Sequence, residues 1–258
     1  MAFDSYFTVT ELPGNIASGE QLERMYQRYF FAREMSRGKD VLELACGGGM
    51  GLGFLAGPAR KVVGSDIDEE ILKVTRGTYK GRDNISVLSM NAQNIACPDG
   101  SFDVVLLYEA IYYLPDAAGF VREAARVLRP GGALVICSVN REWTDFNASP
   151  FSRKYYSIPE LYELVKGSFP SVQMFGAYDT SVKTAGDIVV SLIKRMAVSL
   201  HLIPRTMKGK ALLKKLFLGG AKPVPREINE GMAVYVPPTT IPPCSHKGYK
   251  VIFAVGRK

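Results

Sequence analysis

At 258 residues, with 47% apolar and 22% charged side chains, the chain has an ordinary globular make-up, enough for one large domain with insertions. Its net charge of +7 is unevenly spread: residues 183–222 hold nine Lys or Arg against one acid, Asp187, so the remainder is close to neutral and no general nucleic-acid-binding face is indicated. Two histidines and four scattered cysteines (46, 97, 137 and 244), none in a C-x-x-C pair, argue against a metal site and fit free thiols in a reducing compartment.

In chain order, residues 19–36 read as a helix, with Leu22, Met25, Tyr26, Tyr29 and Phe30 at helical spacing. Strands at 40–45, 61–66, 85–90, 102–108 and 133–139 then alternate with helices near 50–57, 68–79 and 116–128. Pro159 opens a further helix over 158–167, a position where proline is tolerated, and strands follow at 172–178 and 249–255. The alternation predicts an α/β fold: a Rossmann-like, doubly wound, mostly parallel seven-stranded sheet with helices on both faces.

The last two strands are separated by residues 179–247. Within them, 187–203 set Val189, Leu192, Ile193, Met196, Leu200 and Ile203 on one helical stripe ended by Pro204, and 206–218 interleave Lys208, Lys210, Lys214 and Lys215 with Leu212, Leu213, Leu216 and Phe217. The first stretch, 17 residues with three charges, falls short of the roughly 20 apolar residues of a membrane span. The expected organisation is an N-terminal helical cover (1–38), a Rossmann-like core (39–178 with 248–258) and an inserted basic amphipathic helical cap (179–247) that closes a substrate pocket. Peripheral contact with an anionic membrane and a homodimer interface are the alternative uses of that insertion. The first residues show no basic segment followed by an apolar core, so a cytoplasmic protein is expected.

The chemistry concentrates in Val41-Leu-Glu-Leu-Ala-Cys-Gly-Gly-Gly-Met-Gly51, an apolar strand carrying Glu43 that runs into glycines 47, 49 and 51. Such a loop lets backbone approach a ligand closely. Asp66, at the tip of the next strand, can accept hydrogen bonds from both hydroxyls of a ribose. Together they describe a pocket for an adenosine-containing cofactor. The dinucleotide frame G-x-G-x-x-G/A fails from Gly47, where Leu52 takes the third place; from Gly51 it fits, but six residues past the strand and too far into the helix. The frame that fits in place, Glu43-x-x-x-Gly47-x-Gly49-x-Gly51, resembles the first motif of class I S-adenosylmethionine-dependent methyltransferases. Val87-Leu-Ser-Met-Asn91-Ala-Gln93, Pro98-Asp-Gly-Ser-Phe-Asp103 and Glu123-Ala-Ala-Arg-Val-Leu-Arg-Pro-Gly-Gly132 resemble later motifs of that family, at its spacing. Position 91 is often Asp in the family and is Asn here, an amide that can still bond the adenine edge.

The resemblance implies S-adenosylmethionine as cofactor, held by Glu43, Gly47, Gly49, Gly51, Asp66, Ile67, Asn91, Ala92, Gln93 and Tyr108, with Tyr29 and Arg33 from the N-terminal helix. Ligands in open α/β sheets lie outside the carboxyl ends of the strands, so Glu109 and Tyr113, just after the fourth strand, are the catalytic candidates. Glu109 would act as a base or hold the acceptor. Tyr112, Asn140, Trp143, Phe146 and His201 are expected to line the acceptor site. The function expected is methyl transfer to a hydroxyl or amine of a small molecule: a specialised metabolite, sugar or lipid-linked acceptor. The alternatives are a nucleotide-cofactor oxidoreductase, disfavoured by the glycine spacing, and a non-catalytic cofactor-binding partner subunit.

Overall fold

The computed structural model describes residues 12–180 and 222–258. The amphipathic stretches 187–203 and 206–218, and His201 with them, lie outside the described residues.

A short strand, β1 (Ile16–Ala17), leads into α1 (Gly19–Met35). Ser18 opens that helix with a capping box: its hydroxyl accepts from the Gln21 amide, while the Gln21 side chain accepts from the Ser18 amide. The core follows as β2 (Asp40–Leu44), α2 (Leu52–Ala56), β3 (Lys61–Asp66), α3 (Glu69–Tyr79), β4 (Ile85–Ser89), β5 (Phe102–Tyr108), α4 (Ala117–Val127), β6 (Leu128–Val139), α5 (Ile158–Lys166) and β7 (Ser171–Asp179). After residue 221 come β8 (Lys222–Pro223), β9 (Thr239–Ile241) and β10 (Tyr249–Arg257). The sheet order is β4-β3-β2-β5-β6-β10-β7-β9. The strands from β4 to β6 run parallel, and β10 pairs antiparallel with both β6 and β7.

Alternate residues of each central strand enter one of two cores, because successive side chains point to opposite faces. Leu42, Leu44, Val105 and Leu107 pack under α4 and α5. Val41, Val104 and Leu106 pack under α1 and α2. Strands covered on both faces read as nearly continuous apolar runs, which is why β2 and β5 were visible as such.

Two features depart from the expected outline. The sheet has eight strands rather than seven: β9, from the segment between the last two predicted strands, adds an antiparallel edge to β7. The Arg-Pro-Gly-Gly turn is absorbed into β6: Leu128 already pairs with Phe102, the register shifts before Val104, and Gly131 takes φ +77°.

The described part of the insertion, 222–247, contains no helix. It is an extended strap on the cover helix. Lys222–Pro223 pairs with Ile16–Ala17, Val224 and Ile228 are buried beside α1, and the Tyr235 ring stacks on Phe30 at 4.1 Å. The Gln27 side chain grips the strap from α1, donating to the Val234 carbonyl at 2.5 Å and accepting from the Val236 amide at 2.9 Å. No helix among the described residues is long and apolar enough to cross a membrane.

The cover helix meets the glycine loop at Gly51. A Cβ there would fall 1.9 Å from Cε1 of the buried Tyr29 ring. Overpacking of this kind costs roughly 1–3 kcal/mol, so Gly51→Ala should lower stability by about that much in urea unfolding, with the slope of the transition unchanged.

Candidate active site

The chain runs outward from β2 through β3 to β4, then returns to place β5 on the other side of β2. The strand order reverses between β2 and β5, and a crevice opens at their carboxyl ends. A cavity of about 340 Å³ fills it, walled on one side by Gln21, Arg24, Arg28 and Tyr29 of α1. That is the size range of small-molecule sites, roughly 300–1,000 Å³.

One end of the cavity is built on Asp66. Its carboxylate accepts from the Gly47 amide and from the Asp68 amide, both at 3.0 Å, and so ties the glycine loop to the tip of β3. Burial raises its pKa, against these backbone hydrogen bonds. A carboxylate has about four lone-pair positions, so acceptor capacity remains for a ligand diol. Beside it the Ile67 side chain is 57% exposed toward the cavity mouth, and Asn91, Ala92 and Gln93 form the rim. Asn91 Oδ1 accepts from the Gln93 amide at 2.9 Å, which shapes this rim as a tight turn.

The cavity floor is Glu43. Oε1 accepts from the Tyr29 hydroxyl at 2.5 Å, while the buried Oε2 has no hydrogen-bond partner. Desolvation pushes the Glu43 pKa up to about 7, against the pull of the Tyr29 hydrogen bond and Arg28. The Tyr108 hydroxyl, also in the cavity wall, is buried without a partner too. Unpartnered buried polar atoms are costly, and here they face the same cavity. The donor set suits S-adenosylmethionine: Asp66 for the ribose diol, the 91–93 rim and Ile67 for adenine, Glu43 and Arg28 for the ammonium and carboxylate of the methionine part.

The other end is built on Glu109, which follows β5 with φ +51°. That conformation is costly for a residue with a side chain and is held by the Glu109 amide donating to the Cys137 carbonyl at 2.9 Å. It turns the carboxylate into the cavity, where Oε1 meets Arg24 Nη2 at 3.3 Å and Oε2 accepts from the Tyr112 hydroxyl at 3.2 Å. Tyr112, Tyr113, Leu114 and Pro115 complete an apolar wall. Tyr155 stacks behind Tyr112 at 4.5 Å, and Phe146 packs edge-on against Tyr155.

Of the residues singled out in the sequence, Glu43, Gly47, Asp66, Ile67, Asn91, Ala92, Gln93, Tyr108, Tyr29, Glu109, Tyr112 and Tyr113 line this one cavity. Six others do not. Gly49 and Gly51 serve packing: a Cβ at Gly49 would meet Thr75 Cγ2 at 2.3 Å, and Gly51 makes room for Tyr29. Arg33 lies over the Phe54 ring at 4.8 Å and near Glu230, away from the cavity. Asn140 is fully buried as a strut, its amide donating to the carbonyls of His246 and Tyr249. Trp143 lies under Lys250, and Phe146 is a layer behind the wall.

Gln21, from the same covering helix as Tyr29, also lines the cavity, whereas Arg24, Arg28 and Gly48 enter it without having been singled out. Their signal was the spacing 21, 24, 28 on one helix: residues four apart lie about 40° from each other around the axis, whereas Arg28 and Arg33 differ by about 140°.

The fold and the site define a Rossmann-like domain made to hold an adenosine-containing ligand. Residues 42–136 match the family model described as a methyltransferase domain. A Mycolicibacterium smegmatis protein described as a probable S-adenosylmethionine-dependent methyltransferase is 36% identical over 148 residues, 56% of this chain and 55% of that protein. The demethylmenaquinone methyltransferase of Tropheryma whipplei is 32% identical over 133 residues, 51% of this chain and 54% of that protein. The chain thus spans about half the length of these curated relatives. Among solved structures, the Bacillus subtilis YcgJ protein shares the fold with a TM-score of 0.57 at 17% identity, over 93% of this chain and 98% of its own. Residues 42–136 thus carry a methyltransferase domain similar to those of S-adenosylmethionine-dependent enzymes.

Glu43 also sets a pH signature. Its folded pKa, about 7, exceeds its ordinary value of 4.5, so the folded state binds more protons between those limits. The stabilising share is complete below the lower value and is lost as pH rises through the higher. In cofactor-free protein the loss should be on the order of 3 kcal/mol. Urea unfolding between about pH 5 and 8 should show this slope in wild type and its flattening in Glu43→Gln.

Proposed function

We propose that the protein transfers the methyl group of S-adenosylmethionine to a hydroxyl or amine of a small molecule. The observation that carries this reading is the continuity of the cavity, from Asp66 and the 91–93 rim, past Glu43, to Glu109 and its tyrosine wall. The bound cofactor supplies an activated methyl on a sulfonium. The protein's own task is then to seat the acceptor in line with that methyl and exclude water, and proximity of this kind can supply several kcal/mol. Glu109 is placed to take the proton that the acceptor loses as its oxygen or nitrogen gains the methyl and the carbon–sulfur bond breaks. Tyr112 holds that carboxylate from the side, with Tyr113 next to it in the wall. The apolar wall of Tyr112, Leu114 and Pro115 favours an acceptor with an apolar or aromatic body. The name of the Tropheryma whipplei relative supports a small-molecule acceptor too.

Calorimetry with S-adenosylmethionine and its demethylated product tests the cofactor half. Both should bind while NAD does not, and Asp66→Ala should weaken both by about 1.5–3 kcal/mol, the loss expected when hydrogen bonds to a charged group are removed. Mass spectrometry of a panel of phenols, hydroxy acids and amines incubated with labelled cofactor tests the transfer. On any acceptor so found, Glu109→Gln should cut turnover by about 10²–10⁴ with cofactor affinity kept if Glu109 is the base. A raised Michaelis constant at normal turnover would instead assign it to acceptor binding.

A further inference from the structure

Two guanidinium groups reach the cavity from α1, and their surroundings differ. Arg28 acts on Glu43 and lies 5.6 Å from the centre of the Tyr29 ring, at the floor. Arg24 lies one turn earlier, about 6 Å back along the helix, at the Glu109 end. Its side chain is 19% exposed, and Nε is buried with no acceptor. Among the described residues its ion pairing rests on one contact, Nη2 to Glu109 Oε1 at 3.3 Å. A guanidinium carries five N–H donors, so this cation has lost most of its water for a single long hydrogen bond. Its remaining N–H groups are left to a ligand in the cavity that it lines.

We infer that Arg24 is a specificity residue that receives a carboxylate of the acceptor, and that the acceptor is an aromatic acid whose methylated group stands next to that carboxylate. This rests on the methyl-transfer reading and sharpens it. Arg24 and Glu109 are in contact, so a molecule that gives its hydroxyl or amine hydrogen to Glu109 and its anion to Arg24 must carry the two on neighbouring atoms. Tyr112 and Tyr113 supply the surface for its ring. A neutral phenol would leave Arg24 underserved, and an anion without the adjacent donor would sit against the Glu109 carboxylate unrelieved. The sulfonium charge of the cofactor favours the same anionic partner.

The test uses 2-hydroxybenzoate and its neutral counterpart 2-hydroxybenzamide as probes. Each is titrated calorimetrically into the full chain saturated with S-adenosylhomocysteine. Wild type should bind the acid at least about ten-fold more tightly than the amide, the size of a charge-assisted hydrogen bond. In Arg24→Gln that preference should vanish, while the affinity for S-adenosylhomocysteine stays within about two-fold. Equal binding of the two probes to wild type, or binding of neither, would overturn the proposal. So would a preference that survives in Arg24→Gln, which places the anion elsewhere, or a large loss of S-adenosylhomocysteine affinity, which gives Arg24 to the cofactor. A wild-type protein that fails to bind S-adenosylhomocysteine at all overturns the underlying reading instead, and is seen separately in the first titration.

Discussion

The hydrogen bond from Tyr29 to Glu43 fixes the relation between the cover helix and the sheet, and the rest of the site depends on that relation. It is buried, it links α1 to the last turn of β2 before the glycine loop, and the Tyr108 ring closes on it edge-on at 5.4 Å. A hydroxyl donating to a carboxylate in a water-poor setting is strong and would be costly to break. Gly51 leaves the space the tyrosine ring needs, so the glycine loop serves the helix as much as the ligand. Burial raises the tyrosine well above its usual pKa, which keeps it a donor. With α1 held in this way, Arg24 and Arg28 face Glu109 and Glu43 across one cavity.

Much of this was legible in the sequence because the sheet is made of short apolar runs that end in residues with a single use. Glu43, Gly47, Asp66 and Glu109 each stand at a strand's carboxyl end, and strand ends are where period and turn chemistry are clearest. The second and third glycines misled because a loop glycine can face a ligand or a neighbouring side chain, and the sequence carries no mark of which. Arg33 misled for a geometric reason. The cover helix is packed on the sheet side and also under the strap, so its apolar residues do not define one face and its phase toward the cavity is lost. Asn140 stands at a strand tip as a ligand residue would, yet its partners are carbonyls about 100 positions later, and the strap is likewise fixed by contacts distant in sequence.

That strap couples parts of the chain that the sequence reading kept apart. The expected division made the N-terminal cover and the insertion separate pieces. In the structure, Gln27, Phe30 and Met50 meet residues 228–236, with the Ile228 amide donating to the Met50 carbonyl at 2.8 Å. The cover helix therefore lies between the sheet and the strap, and the Glu109 end of the cavity is walled by a helix packed on both sides.

The position of β10 has a consequence for how the molecule comes into being. It lies between β6 and β7 and pairs with both, but it is synthesised after both. A nascent chain that has reached residue 179 has therefore made two strands with unpaired inner edges and has nothing to put between them. Open edges of this kind recruit other strands, and pairings across such sequence distances form slowly. Completion of the sheet thus waits for residues 249–257, and until they arrive the facing edges of β6 and β7 stay open.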